Sequence, residues 1–308
     1  MPESFFLLIL IFIISLAVLV VSADKFIAFA EKIGLALGIP AFVIGVTVVA
    51  LGTSLPELVS SIIAVMNDES SIVIGNVVGS NITNILLILG VVGVVAKRFS
   101  ITFNFKKVDL PFFILSTAFL YFTTVDQQFT FIEGIIGLAI LITYLVITLS
   151  SGKDLLDDSS PKLKPSFFLW LILAGFGIYL GAKYNVESVI MLGEKLSVPP
   201  AIIALTAVAL GTSLPELFVS VAAIRKKKAE IAVGNILGSN IFNGLLIMGV
   251  PRFLGVLEIP KEVATVSLPI LMGASILFIL FTWNKKVNWL HGTILLVGYA
   301  SFIYFSFV

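Results

Sequence analysis

The sequence predicts an all-α integral membrane protein of ten transmembrane helices, built as two inverted five-helix repeats in which helices 2 and 7 are discontinuous. Three observations carry that expectation. The 308 residues are 59% hydrophobic and only 12% charged, with a mean hydropathy of +1.15, whereas soluble domains run near 45–50% apolar and about 25% charged. Ten apolar stretches approach the roughly 20 residues needed to cross a bilayer. Two separate motifs recur in the two halves of the chain at one constant offset.

The stretches fall at about 4–22, 38–66, 71–96, 109–124, 130–150, 165–186, 198–224, 229–250, 263–283 and 289–307. Span 1 ends on Val21-Ser22-Ala23, which resembles a signal-peptidase site. Its leading flank carries Glu3 and no basic residue, the wrong charge for a signal peptide, so it is read as a membrane helix. Spans 2 and 7 carry Gly-Thr-Ser-Leu-Pro in their middles and are expected to break there. Loops after the odd-numbered spans hold 15 of the lysines and arginines and the other side holds 4. Basic residues favour the cytosol, so both termini are expected outside and the protein in the cell membrane. Trp283 and Trp289 bracket Lys285 and Lys286 as interfacial aromatics do.

The repeat is read from the letters. Val43–Leu58, VIGVTVVALGTSLPEL, matches Ile202–Leu217, IIALTAVALGTSLPEL; Ile74–Asn84, IGNVVGSNITN, matches Val233–Asn243, VGNILGSNIFN. Glu57 maps to Glu216, Asn76 to Asn235, Ser80 to Ser239 and Asn84 to Asn243, each pair 159 residues apart. Five spans per half is an odd number, so the second half enters the membrane with opposite polarity, the arrangement in which secondary transporters bind cargo near the midplane. The domains expected are a first repeat over 1–150 (its duplicated core about 43–90), a cytosolic linker over 151–164, and an inverted repeat over 165–308 (core about 202–249).

Most other chemistry is excluded. Cysteine is absent and His291 is the one histidine, which removes disulfides, thiolate metal sites, zinc-binding histidine clusters and Ser-His triads. A net charge of +1 gives no basic stripe for nucleic acid. No enzyme activity and no cofactor are expected, and no protein partner is required of a chain that works as a monomer. Arg225–Lys228 could meet anionic lipid, but reads more simply as a topology signal.

Glu57 and Glu216 are the carboxylates placed deep in apolar spans, where a charge costs at least about 2.5–3.5 kcal/mol. Pro56 and Pro215 lack an N–H, and Gly52 and Gly211 would permit unwinding, so carbonyls near Ala50, Thr53, Ala209 and Thr212 are expected to lose helical partners. Thr53, Ser54, Thr212 and Ser213 add hydroxyls. Ser80 and Asn84 share one helix face, as do Ser239 and Asn243, and could supply further oxygens. The result is an all-oxygen cage suited to Ca²⁺ or Na⁺. Asn76, Asn81, Asn235 and Asn240 lie on other faces and are read as helix-packing groups, with Gly75, Gly79, Gly234 and Gly238 allowing close approach.

At these motifs the sequence resembles the cation/calcium exchanger superfamily, most closely its prokaryotic sodium/calcium exchangers, whose paired repeats carry a similar G-T-S-L-P-E and G-N-x-x-G-S-N. The resemblance implies that Glu57 and Glu216 are central Ca²⁺ ligands that alternately serve Na⁺. Thr53, Ser54, Thr212, Ser213, the Ala50 and Ala209 carbonyls, Ser80, Ser239, Asn84 and Asn243 would complete the sites, and spans 1 and 6 would move. Some relatives, including potassium-dependent exchangers, carry Asp where this chain has Asn243, which speaks against potassium coupling. Proton-coupled relatives resemble G-N-x-x-E, where this chain has Gly79 and Gly238, which favours Na⁺. The expectation is a sodium/calcium antiporter that exports Ca²⁺ electrogenically by alternating access. A calcium/proton antiporter is the nearest alternative, a passive cation channel a further one; an intramembrane hydrolase lacks a paired aspartate, histidine or thiol.

Overall fold

A computed structural model describes residues 5–68, 70–150, 162–196, 211 and 213–305. Ten helices are described: α1 Phe5–Ala36, α2 Ala41–Met66, α3 Ser71–Ala96, α4 Asp109–Thr124, α5 Phe131–Ser150, α6 Pro165–Lys195, α7 Leu214–Arg225, α8 Ala229–Arg252, α9 Val263–Thr282 and α10 Trp289–Phe305. Seven of them, all but α4, α7 and α10, are long and apolar enough to cross a membrane. The protein is therefore an integral membrane protein dominated by helices, as its composition requires.

Three features depart from the sequence reading. First, α1 and α6 run to 32 and 31 residues, so Lys25, Lys32 and Lys195, expected in loops, are helical. Second, the chain is not purely helical: β1 Arg98–Ser100 pairs antiparallel with β4 Lys286–Asn288, and β2 Gln128–Phe129 with β3 Leu257–Glu258. Third, a carboxylate at the end of a span is buried as well. Asp109 is buried in the first turn of α4, where it accepts a 2.9 Å hydrogen bond from the Tyr144 hydroxyl of α5.

The two ladders carry the repeat into three dimensions. Arg98 pairs with Asn288 and Phe129 with Leu257; adding 159 to 98 and subtracting it from 288 turns the first pair into the second. The connections also sort into two groups. In one, Ile101 N–H donates to Lys285 O at 2.9 Å, the Thr102 and Phe103 N–H groups donate to Glu230, and Lys226 and Lys228 reach Asp24 and Glu31 of α1. In the other, Arg252 donates to Phe129 O at 2.8 Å and Glu258 N–H to Ser70 Oγ at 3.1 Å.

The core is built around α8, whose glycines let α2 approach. A Cβ on Gly234 would lie 2.6 Å from Phe42 O, and one on Gly238 2.5 Å from Val46 O. A Cβ on Gly75 or Gly79 would meet no atom of the described residues within 4 Å.

Candidate functional site: a buried oxygen cage

The expected break in span 2 is not where the motif stands. The chain stays helical from Ala41 to Met66; a π-helical stretch at Gly45–Val49 precedes the motif, and Gly52-Thr-Ser-Leu-Pro56 lies inside an α-helical stretch, Ala50–Met66. Gly52 serves close packing here instead of unwinding, since a Cβ there would sit 2.6 Å from Phe26 Cζ of α1. Pro56 removes one helical donor, that of the Gly52 carbonyl, a loss tolerated in membrane helices when neighbours and hydroxyls compensate. Thr53 Oγ1 folds back onto Ala50 O at 3.3 Å, so the Ala50 carbonyl is not freed.

The second copy is different. Helix α7 starts at Leu214, with Ser213 before it at φ −89°, ψ 4°, Pro215 in the first turn and Glu216 beside it. Proline loses nothing in a first helical turn, where its missing N–H has no intrahelical acceptor, and a carboxylate there faces the positive end of the helix dipole. Ala209 and Thr212, both expected ligands, lie outside the described residues.

The two copies meet. Ser54 Oγ of α2 donates to Glu216 Oε1 at 3.2 Å. Asn235 of α8 clasps both: its Oδ1 accepts from Thr53 Oγ1 at 3.1 Å, while its Nδ2 donates to Ser220 Oγ at 3.0 Å and Glu216 O at 3.4 Å. Asn81 Nδ2 donates to the carbonyl of Asn240, its own repeat mate, at 3.3 Å, and Asn240 Nδ2 to Ile236 O at 2.7 Å. Asn81, Asn235 and Asn240 thus join and brace helices, as their faces suggested.

What remains around this junction is a set of buried polar atoms with no hydrogen-bond partner among the described residues: both carboxylate oxygens of Glu57, Oε2 of Glu216, the Ser213 and Ser239 hydroxyls, and the Asn84 and Asn243 amides. Each such group costs roughly 1–3 kcal/mol when left unsatisfied, and carboxylates cost more. Asn84 and Asn243 each begin a π-helical stretch, Asn84–Ile88 and Asn243–Ile247, an irregularity that recurs at functional sites. The stretch led by Asn243 packs against the helix of Glu57, and that led by Asn84 against α7. Ser80 is buried but turns its hydroxyl to Asn76 at 3.4 Å.

Two residues escaped the sequence reading. Ser61 and Ser220 stand four residues after Glu57 and Glu216, both buried, Ser61 Oγ without a partner and Ser220 held by Asn235. A hydroxyl one turn beyond each glutamate, on the same face and repeated in both copies, was the available signal. No cluster of three or more His, Cys, Asp or Glu occurs among the described residues, so the chemistry rests on two carboxylates and neutral oxygens, a donor set for a hard cation.

A membrane protein with such a buried, oxygen-lined, doubly acidic junction between duplicated helices belongs to the class of cation transporters. The profile of the sodium/calcium exchanger protein family matches residues 7–150 and 166–308, and the chain belongs to that family; it is a transporter, not an enzyme. It is 34% identical to sodium/calcium exchanger MaX1 of Methanosarcina acetivorans, over 96% of this chain and 97% of that one. It is 31% identical to inner membrane protein YrbG of Escherichia coli, over 89% and 88%. The sodium-calcium exchanger NCX_Mj, in a structure soaked with Na⁺ and Sr²⁺, superposes with a TM-score of 0.85 at 30% identity, over 96% of this chain and 98% of that one.

Proposed function

We propose that the protein is a sodium/calcium antiporter of the cell membrane that exports Ca²⁺ as Na⁺ enters, by alternating access between two inverted repeats, with net charge movement. The observation that carries this reading is the pair Glu57 and Glu216, joined across the repeats by Ser54 and Asn235, with three carboxylate oxygens left for a cation. Thr53, Ser54, Ser213, Ser239, Asn84 and Asn243 complete the shell around them, with Ala50, Ser80 and, outside the described residues, Ala209 and Thr212 as further ligands. The repeats are 1–150 and 165–308, joined by a cytosolic linker over 151–164, with both termini outside. The 159-residue relation between the two ladder registers and the sorting of connections into two groups support that topology.

The neutral glycines at 79 and 238 support Na⁺ as the coupling ion. The name of one relative points the same way: MaX1 is called a sodium/calcium exchanger. Two carboxylates match the charge of one Ca²⁺. Three or more Na⁺ in exchange move net charge, and each elementary charge crossing 100 mV is worth about 2.3 kcal/mol.

The test is ⁴⁵Ca²⁺ uptake into proteoliposomes loaded with Na⁺, K⁺ or choline at equal pH. Uptake is expected with Na⁺ alone, and faster when a diffusion potential makes the lumen positive. Uptake that follows a pH gradient instead gives the protein to the proton antiporters, and flux without any counter-ion makes it a channel.

A further inference from the structure

One hydrogen-bonded feature is written into both copies of the repeat and made in only one. In the second copy Asn235 of α8 holds α7: its Nδ2 donates to Ser220 Oγ at 3.0 Å and to Glu216 O at 3.4 Å. Subtracting 159 from these positions gives Asn76 of α3 and Ser61 and Glu57 of α2. Those two helices also pack against each other, yet the bond to the serine is missing. Ser61 Oγ is buried with no partner among the described residues, and Asn76 Oδ1 accepts from Ser80 Oγ at 3.4 Å. A hydroxyl buried in this way costs stability that an alanine would not, so packing alone does not account for the serine.

The two serines lie on opposite sides of the glutamates. Ser220 stands one turn past Glu216 toward the end of α7, and Ser61 one turn past Glu57 toward the end of α2. Helix α7 runs on into Lys226 and Lys228, which pair with Asp24 and Glu31 in the first group of connections. Helix α2 runs on toward Ser70, whose hydroxyl accepts from Glu258 N–H in the second group. The bond that is made therefore ties α7 to α8 on one side of the cage, and the missing one would tie α2 to α3 on the other.

We propose that Asn235–Ser220 and Asn76–Ser61 are the two settings of one switch, each bond closing the side of the cage on which it lies, so that Ser61 and Ser220 are positioning residues and not cation ligands. The proposal rests on the antiporter reading. In this state the bond to Ser220 is closed; in the opposite state Asn235 releases Ser220 and Asn76 takes Ser61. The hydroxyl without a partner here is satisfied there. The two settings are coupled through Thr53, whose hydroxyl donates to Asn235 Oδ1 at 3.1 Å. Turning the Asn235 amide away from Ser220 thus disturbs α2, the helix that carries Ser61.

The experiment uses the full chain in Na⁺-loaded right-side-out and inside-out membrane vesicles with ⁴⁵Ca²⁺ outside, which reads KM for Ca²⁺ at each face. Wild-type uptake tests the antiporter reading by itself. An apparent affinity follows the fraction of molecules open to the ion. Ser220→Ala is expected to shift the ratio of the two KM values about three- to tenfold, the worth of one hydrogen bond, by lowering KM at the face where α7 ends. Ser61→Ala should shift it by a similar factor the other way, and the double variant should return it toward wild type. Shifts of the same sign, or an unchanged ratio in both, overturn the proposal. In an Asn76→Ala background Ser61→Ala should shift the ratio no further; an additive shift overturns Asn76 as its partner. Thermal unfolding in the absence of Ca²⁺ and Na⁺ needs no transport. Ser220→Ala should lower the midpoint, because the Asn235 amide loses an acceptor, and Ser61→Ala should not. Equal losses overturn the proposal even if exchange is seen.

Discussion

Gly-Thr-Ser-Leu-Pro-Glu occurs twice, letter for letter, and folds in two ways. At 52–57 it runs through the interior of a continuous helix, and the glutamate that follows leaves both oxygens unpaired. In the second copy Ser213 is non-helical and a helix starts at Leu214, so the glutamate sits in the first turn with one oxygen held by Ser54 of the other copy. The same proline therefore removes a helical hydrogen bond in one place and none in the other. Local letters set which conformations are affordable; the neighbours choose among them. Phe26 wedged against Gly52 and Val186 against Gly211 are those neighbours.

The largest effect should come from the carboxylates. Glu57→Gln and Glu216→Gln are each expected to abolish Na⁺-dependent Ca²⁺ uptake while leaving extractable, folded protein, because each removes one charge and keeps the shape. Near-wild-type uptake in either would remove that residue from the cage. The comparison predicts a difference in stability as well. With no cation added, Glu57→Gln should raise the thermal midpoint, since it removes an unpaired buried charge. Glu216→Gln should raise it less, because Ser54 already satisfies one of its oxygens.

The prolines separate the copies next. Pro56→Ala restores an N–H inside a helix and should stabilise the protein by about 1–3 kcal/mol. Pro215→Ala, in a first turn, should change stability by less than about 0.5 kcal/mol. Thermal unfolding followed by tryptophan fluorescence in one detergent measures both; equal effects would mean that the two motifs share one conformation.

The smallest perturbation tests whether the copies are truly inverted. Single cysteines at Gln127 and Ser159 should leave exchange intact and label from opposite faces with an impermeant reagent, Ser159 from the cytosol. Labelling from one face would remove the inversion and with it the topology of the two repeats.

Much of this was legible in the letters. The boundaries of α4 and α5 match the apolar stretches within a residue because polar loops flank them on both sides. The lengths of α1 and α6 were not legible, because helix continues past the hydrophobic stretch where charged residues lie on outward faces or pair across the fold, as Asp24 and Glu31 do with Lys226 and Lys228. The glutamates and the two asparagines were visible as costly polar residues repeated in apolar surroundings. Ser61 and Ser220 were missed, since one serine in a membrane helix carries little signal until its recurrence one turn beyond each glutamate is noticed.

By itself the sequence determined a membrane protein, a duplicated core, and a cage of oxygens without sulfur or imidazole, because composition, repetition and residue chemistry need no geometry to be read. The tertiary structure decided which copy of the motif is helical throughout, which glutamate has a partner, and that Asn235 holds both copies together. It also decided that short strands from the two halves pair across the molecule. Several of those outcomes depend on contacts between residues far apart in sequence, such as Thr53 with Asn235 and Ser54 with Glu216, 182 and 162 positions apart, where close packing and the requirement to satisfy buried polar groups outweigh any local preference.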